Sequence, residues 1–167
     1  MKPKQIYAYM KTAEAFAECS HAIRKKVGAV AVTPQDVMLY SWNGTAQGDD
    51  NTCEDKVYFD GNWYVYSTVE QVEAAYPYTD EVGAYKLVTK DNVLHAESNI
   101  VAKAAREGVS LKDSIIVVTL SPCLHCSKQL FQAGVSHVVY KEEYRDMAGV
   151  EYLKAHGILC EKFENYC

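Results

Sequence analysis

The sequence predicts an α/β fold in which helices cover both faces of a mixed, five-stranded sheet. From residue 96 onward, helix-like and strand-like segments alternate three times, which is typical of strands joined by right-handed crossovers and paired in parallel. Before residue 45, two β-rich runs follow each other closely, which is typical of an antiparallel hairpin. We therefore expect one sheet that contains both kinds of pairing.

The N-terminal part is predicted to form one helix and the hairpin. Residues 3 to about 20 place apolar side chains at helical spacing, so one face of this helix should pack on a core. Strands are predicted over 27–33 and 37–42, because both runs are rich in residues that favour strands, and the turn between them contains Pro34. Asn43 and the glycine after it end the second strand.

The C-terminal part alternates regularly. Helices are predicted over residues 96–107, 123–133 and 148–155, and strands over residues 114–119, 137–140 and 158–163. Between residues 46 and 92 the periodicity fades, apart from a short helical segment at 69–76. Because so long a loop is rare in a compact domain unless it serves a purpose, we interpret residues 46–92 as an inserted elaboration of a single domain spanning 1–167.

Composition and charge narrow the classes of ligand and location. The net charge is -5, and the lysines and arginines are scattered apart from the run at 24–26. A polynucleotide partner is therefore not expected, whereas a small phosphate-bearing ligand held by a few local cations is compatible. No stretch resembles a signal peptide or a membrane span. We expect a cytoplasmic protein without a membrane partner, whose six cysteines are thiols or metal ligands.

The most informative pattern is His-Ala-Glu at 95–97 followed by Pro-Cys-Leu-His-Cys at 122–126. His95, Cys123 and Cys126 can bind a tetrahedral zinc ion with one position left open, which distinguishes a catalytic site from a closed structural one. Both clusters stand at the starts of predicted helices, where backbone N–H groups favour thiolates. Glu97 is near enough to move protons for a water molecule activated by the ion. This order of residues is the signature of zinc-dependent deaminases.

Each half of the pattern has an ordinary explanation by itself. A lone Cys-x-x-Cys can be a structural zinc site or a redox pair, and a lone His-x-Glu is usually coincidence. Their combination, in this order and at two helix starts, favours catalytic zinc. His125 competes as a ligand in principle, but it lies off the face that Cys123 and Cys126 share.

Further segments extend the pattern over most of the chain. They are Cys-Ser at 19–20, Arg-Lys-Lys-Val-Gly-Ala-Val at 24–30, Trp-Asn-Gly-Thr at 42–45, Val-Leu-His-Ala-Glu-Ser-Asn at 93–99, Ser-Pro-Cys-Leu-His-Cys-Ser-Lys at 121–128, Gln-Ala-Gly-Val at 132–135 and Tyr-Arg-Asp at 144–146. In these segments the sequence resembles the dCMP deaminase family of the cytidine deaminase superfamily, and its phage branch in particular. The likeness leaves out about residues 46–90.

The resemblance implies a fold, a reaction and a set of substrate contacts. The fold is the cytidine deaminase-like three-layer α/β/α sandwich with a mixed five-stranded sheet. The reaction is the zinc-dependent hydrolysis of dCMP to dUMP and ammonia, which supplies dUMP for thymidylate synthesis, with Glu97 as the proton carrier. Asn43 is expected to bind the deoxyribose or the base edge, Arg24 and Arg145 the 5′-phosphate, and Tyr144 to stack on or close over the nucleotide. The full set implied in substrate binding is Arg24, Asn43, Gly44, Thr45, Ala96, Ser121, Tyr144 and Arg145.

The resemblance also implies regulation and assembly. The family is activated by dCTP with Mg²⁺ and inhibited by dTTP, usually as a hexamer, through the segment after the Asn-Gly-Thr turn. Gly48, Asp49 and Asn51 occupy that segment here. Some phage members bind a second, structural zinc ion through cysteines at the positions of Cys19 and Cys53. Valine stands at position 93, where such members have a histidine, so the resemblance does not extend to that ligand of the second ion.

Three other functions stay open at the level of sequence. A deaminase of dCTP or of another free cytosine nucleotide would use the same zinc ligands. A tRNA adenosine deaminase shares the pattern but needs a basic channel, and it usually carries Gly-Ala where this chain has Ser127 and Lys128. A non-catalytic module stabilised by zinc would leave Glu97 without a role. If the chain is encoded by a phage, the cytoplasm is that of the host.

Overall fold

The structure, a computed structural model, describes residues 1–62, 65–66 and 68–166. Its helices are α1 (Pro3–Ala17), α2 (Val69–Ala75), α3 (Ala96–Glu107), α4 (Leu124–Gln132) and α5 (Ala148–Ala155), with a 3-10 helix at Phe163–Tyr166. Its strands are β1 (Gly28–Val32), β2 (Met38–Trp42), β3 (Glu54–Tyr58), β4 (Tyr78–Thr79), β5 (Ala84–Thr89), β6 (Ile115–Leu120), β7 (His137–Glu142) and β8 (Leu159–Lys162). None of the helices in these ranges has both the length and the apolar character that crossing a membrane requires.

The larger sheet contains five strands in the order β2-β1-β6-β7-β8. Strand β1 pairs antiparallel with β2 and with β6, whereas β6, β7 and β8 are parallel. The predicted hairpin and the predicted parallel crossovers are therefore both confirmed. Most predicted ends agree closely with the structure, but the first helix already ends at Ala17, and β7 extends beyond its predicted end to Glu142.

Helices cover both faces of the larger sheet because its central strands are apolar on both sides. On one face, Ile6 and Met10 of α1 pack against Val117 of β6 and Val139 of β7. The opposite face carries the largest apolar cluster, to which α3, α4 and α5 contribute Ile100, Leu130 and Leu153. The three-layer α/β/α arrangement is thus confirmed. Strand β6 leads directly into the segment that begins α4, so the start of this helix lies at the carboxyl end of the parallel strands.

Residues 46–92 contain a second, small sheet that the sequence did not predict. Its three strands lie in the order β3-β5-β4, and both pairings are antiparallel. The predicted short helix in this segment is confirmed as α2. The strands were missed because β3 reads Glu-Asp-Lys-Val-Tyr, without apolar alternation, and β4 has only two residues. Residues 46–92 therefore have backbone pairing of their own, and positions 63, 64 and 67 lie outside the described residues.

Candidate active site

His95 and Cys123 occupy equivalent places at the starts of two helices that contact each other. His95 is the N-cap residue of α3 and Cys123 is the N-cap residue of α4, both with extended backbone. Cys126 lies in the first turn of α4, three positions after Cys123, so both sulfurs lie on the same side of that turn. The first backbone N–H groups of a helix have no partner within it, and they favour anionic groups such as thiolates.

These three side chains are spaced to hold one zinc ion. His95 Nδ1 lies 3.6 Å from Cys123 Sγ and 3.4 Å from Cys126 Sγ, and the three atoms lie within 4.8 Å of one another. A tetrahedral ion with a Zn–N bond of about 2.1 Å and Zn–S bonds of about 2.3 Å separates a nitrogen ligand from a sulfur ligand by about 3.6 Å. The donor atoms therefore fit zinc, and three protein ligands leave one position open.

The two thiols of the site do not both ionise readily when no cation lies between them. The pKa of Cys123 falls to about 3, first because Cys126 donates a hydrogen bond to its sulfur and further because His95 does so. The pKa of Cys126 is raised by the same hydrogen bond to Cys123 and by burial. Without a cation, ionisation of Cys123 therefore disfavours ionisation of Cys126. A divalent ion between the sulfurs would remove this opposition and stabilise both thiolates.

Within the described ranges, no second group of histidine, cysteine and acidic side chains has metal-ligand spacing. Cys53 is buried in a small apolar cluster, and Cys19 is exposed. The geometry therefore adds no support for a second zinc ion. His125 is exposed, and its ring forms a hydrogen bond with Gln129, in agreement with the prediction that it is not a ligand.

Glu97 is buried beside the metal ligands. It lies in the first turn of α3 with 4% of its surface exposed, and it lines the same pocket as His95 and Cys123. Burial raises the pKa of its carboxyl group to about 7, because the protein replaces the water that would solvate the charge. A proton carrier must lie close to the water molecule that the metal ion would bind, and Glu97 lies in such a position beside the candidate ligands.

A pocket of about 230 Å³ adjoins the metal ligands. Most of the predicted site residues line it, namely Arg24, Asn43, His95, Ala96, Glu97, Ser121, Cys123, Tyr144 and Arg145. Gly44, Thr45 and Cys126 are not part of its lining, and Cys126 is 1% exposed. The folded chain therefore brings together five segments that are distant in the sequence.

The cations of the pocket differ in how far their charge is neutralised. Lys25 forms an ion pair with Glu142. Within the part of the chain that the structure describes, neither Arg24 nor Arg145 has a carboxylate partner; Arg24 binds the Thr89 hydroxyl instead, with Nη1 3.0 Å from Oγ1. Two guanidinium groups that keep their charge can form strong hydrogen bonds with an anionic ligand.

Asn43 and Gly44 organise the backbone around the site. Asn43 Oδ1 accepts a hydrogen bond from the Val27 N–H at 2.8 Å, and its Nδ2 donates to the Lys25 carbonyl at 3.0 Å. Each end of this amide can still form another hydrogen bond, so contact with a ligand stays a prediction. Gly44 exchanges two backbone hydrogen bonds, of 3.0 and 2.8 Å, with Leu94. The turn at Asn43 and Gly44 therefore fixes the backbone of Leu94, which directly precedes the candidate ligand His95.

Ser121 fixes the loop that carries Tyr144 and Arg145. Its Oγ accepts a hydrogen bond from the Tyr144 N–H at 2.7 Å, and its side chain is buried. The Arg145 guanidinium carbon lies 5.6 Å from the centre of the Tyr144 ring. Ser121 thus contributes at least by positioning this loop at the pocket.

The segment predicted to bind effectors lies outside the pocket lining. Gly48 has a left-handed backbone with φ of 100°, and Asp49 accepts a long hydrogen bond of 3.4 Å from Asn92. Asn51 is exposed, and Thr45 donates to the Asp50 carbonyl at 2.7 Å. These residues form a surface turn that follows directly on the Asn43-Gly44 turn.

Five residues of the pocket were missed by sequence reasoning, namely Lys25, Val27, Glu54, Leu120 and Thr89. Lys25 stands in the basic run that was singled out, so that run held the signal for it. Val27 directly precedes β1 and Leu120 ends β6, and neither apolar side chain indicates a chemical role in the sequence. Glu54 and Thr89 come from the small sheet, and nothing local in the sequence distinguishes them from other polar residues.

Replacement of a single thiolate should abolish tight zinc binding. We expect Cys126→Ser to weaken zinc affinity by more than about 100-fold, because a neutral hydroxyl replaces a charged sulfur ligand. Zinc content after dialysis, measured by atomic absorption, tests this. The matched control is Cys19→Ser, an exposed cysteine outside the site, which should keep wild-type zinc content. A full complement of zinc in Cys126→Ser would contradict the assignment.

Comparison with characterised proteins agrees with this geometry. Residues 3–142 match the family model described as the cytidine and deoxycytidylate deaminase zinc-binding region. The deoxycytidylate deaminase of Saccharomyces cerevisiae is 29% identical over 98% of this chain, which spans only 46% of that relative. The deoxycytidylate deaminase of Enterobacteria phage T4 is 29% identical over 71% of this chain and 68% of its own length.

A solved structure extends the likeness to nearly the whole length of both chains. The dCMP deaminase of cyanophage S-TIM5, solved in complex with dCMP and dUMP, is 36% identical with a TM-score of 0.74, and the match covers 97% of this chain and 98% of that one. The family model covers most of the chain and includes His95, Glu97, Cys123 and Cys126. On this evidence the chain belongs to the cytidine and deoxycytidylate deaminase family.

Proposed function

We propose that this chain catalyses the hydrolytic deamination of dCMP to dUMP and ammonia. The observation that carries the proposal is that one pocket adjoins three zinc ligands and the buried Glu97 and is also lined by two guanidinium groups that have no carboxylate partner among the described residues. The zinc ligands and Glu97 suit the addition of water to an amino-bearing ring, and the guanidinium groups suit the binding of a phosphate group. The cyanophage relative was solved with dCMP and dUMP, which are the substrate and product of this reaction.

Glu97 is the group that moves protons in the proposed reaction. A zinc ion held by His95, Cys123 and Cys126 would supply a Lewis acid that makes water nucleophilic near neutral pH. As water adds to C4 of the cytosine ring, Glu97 takes up one of its protons and delivers it to N3. Glu97 then transfers the remaining hydroxyl proton to the amino group, which leaves as ammonia, and the ring becomes uracil.

Arg24 and Arg145 would bind the 5′-phosphate. Their guanidinium groups line the pocket and have no carboxylate partner among the described residues, so their charge is available to a phosphate dianion. Tyr144 lies next to Arg145 and offers a ring that can stack on the nucleotide. Two arginines line this pocket while the chain as a whole carries a net charge of -5, which favours a mononucleotide over a polynucleotide.

Ammonia release from a panel of substrates tests the proposal. With cytidine, CMP, dCMP and dCTP at equal concentration, we expect dCMP to react fastest, and cytidine at least tenfold more slowly because it forms no charge-assisted hydrogen bonds with the arginines. Faster reaction with cytidine would contradict the dCMP assignment. Faster reaction with dCTP would favour the neighbouring activity on triphosphates. A zinc-containing protein that releases no ammonia from any of them would indicate a binding module.

Regulation belongs to the same proposal. We infer that dCTP with Mg²⁺ activates and dTTP inhibits, in a homo-oligomer such as a hexamer, through the turn that holds Gly48, Asp49 and Asn51. Support comes from its connection to the site, because Thr45 binds the Asp50 carbonyl while Gly44 pairs with Leu94, the neighbour of His95. Repetition of the panel with each effector tests this, and rates that neither effector changes would contradict it.

A further inference from the structure

The small sheet forms part of the pocket wall. Glu54 of β3 and Thr89 of β5 are direct partners across the strand pair, and both side chains line the pocket. The next residue after Thr89 reinforces this end of the sheet, since the Lys90 N–H donates to the Cys53 carbonyl at 3.0 Å. The small sheet, which lies within residues 46–92, therefore reaches the site at this pair of residues.

Thr89 contacts the side chain of Arg24. The hydroxyl Oγ1 accepts a hydrogen bond from Arg24 Nη1 at 3.0 Å, across 65 positions of sequence. A hydroxyl group can orient a guanidinium without neutralising it, whereas a carboxylate in the same place would cancel its charge. A guanidinium group has five N–H donors, and the hydrogen bond to Thr89 uses one of them. The remaining donors can bind a ligand.

Glu54 contacts the backbone of the same segment. Its two carboxylate oxygens accept from the Ile23 N–H at 3.1 and 3.2 Å, and one of them also accepts from the Arg24 N–H at 3.2 Å. The side chain is 6% exposed, so these hydrogen bonds replace water around its charge. Glu54 therefore fixes the position of the Arg24 backbone, while Thr89 fixes the direction of its side chain.

We propose that the small sheet serves to preorganise Arg24 for the substrate phosphate, with Thr89 as a positioning residue that determines nucleotide affinity. Arg24 is exposed, and a free arginine side chain samples many rotamers that binding would have to restrict. Holding the guanidinium in place beforehand reduces that loss and strengthens binding. This inference rests on the proposed function, since it requires that Arg24 binds the phosphate of dCMP.

Four variants test the inference through the steady-state kinetics of dCMP. Thr89→Val keeps the shape of the side chain and removes the hydroxyl, and it should raise KM about fivefold, the effect of one ordinary hydrogen bond, with kcat within about twofold of wild type. Thr89→Ser restores the hydroxyl and should return KM close to wild type. Thr89→Ala is a second variant without the hydroxyl and should behave like Thr89→Val. Thr79→Val, the same change on the exposed strand β4 and outside the pocket, is the matched control.

A double-mutant cycle with Arg24→Ala separates positioning from general damage. If Thr89 acts through Arg24, Thr89→Val should raise KM in the wild-type background but leave KM unchanged when Arg24 is already alanine. Equal effects of Thr89→Val in both backgrounds would overturn the inference. A fall in kcat at unchanged KM would also overturn it, because an orienting contact for the phosphate acts on binding.

Failure of the proposed function gives a different result. In that case the wild-type protein itself releases no ammonia from dCMP, and the inference falls together with the proposed function because it requires dCMP as the substrate. If the wild type converts dCMP to dUMP but Thr89→Val and Thr89→Ala keep the wild-type KM, the deaminase assignment stands and the role of the small sheet is wrong.

Discussion

Glu97→Gln is expected to lower kcat for dCMP by about 10²- to 10⁴-fold while the zinc content stays at the wild-type level. Glutamine has the size of glutamate, so it fits the same buried position in the first turn of α3. Its amide cannot take up a proton from water or deliver one to the ring. Single-turnover ammonia release, together with zinc analysis of the same sample, measures both parts of this prediction.

The matched control for this change is Glu107→Gln. Glu107 lies at the other end of the same helix, is exposed and pairs with Arg106. Removal of its charge should leave turnover within about twofold of wild type, as is usual for surface substitutions away from a site. If Glu97→Gln released ammonia at a near-normal rate, another group would have to carry the protons, and the proposed mechanism would fail.

Gly149→Ala is expected to destabilise the protein by about 2 kcal/mol and to disturb the metal ligand Cys123. Gly149 is buried in α5, where a Cβ atom would stand 2.1 Å from the Pro122 carbonyl oxygen and 2.7 Å from the Cys123 carbonyl carbon. Both atoms belong to backbone, which cannot move aside as a flexible side chain would. The segment that carries Cys123 would therefore have to shift, with loss of zinc affinity.

The sign of this effect separates two physical causes. Helix propensity alone predicts that alanine in a helix interior stabilises by about 0.5–1 kcal/mol relative to glycine. The collision predicts a lower Tm, by roughly 4–8 °C for a chain of this size. Thermal unfolding and zinc titration measure both quantities. Glu151→Ala, an exposed position of the same helix, is the control that should change neither, and a rise in the Tm of Gly149→Ala would show that the predicted contact is absent.

Agreement between sequence and structure is greatest where the signal is local. The helices predicted at 96–107 and 148–155 occur with those bounds, because apolar spacing and the residues at their ends indicate the same limits. His95 and Cys123 were expected at helix starts, and both are N-cap residues. A helix start combines a short sequence motif with a definite backbone geometry, so it can be predicted from few residues.

The predicted and observed secondary structure agree least over residues 46–92. The sequence of β3 alternates neither in polarity nor in size, and the two residues of β4 are too few for any periodicity to appear. These strands exist because β5 pairs with both of them. The pairing of β3 with β5 joins residues that are distant in the sequence, and a single sequence does not display such contacts.

The sequence by itself was enough to predict the candidate metal ligands and proton carrier and to determine the layered fold. His95, Glu97, Cys123 and Cys126 stand in two short motifs, and helical or strand periodicity repeats within a few residues, so both kinds of signal are local. Only the tertiary structure decided how the pocket is completed. The contact of Arg24 with Thr89 spans 65 positions and its contact with Glu54 spans 30. Contacts of this kind follow from strand register and side-chain direction, which exist only once the chain has folded.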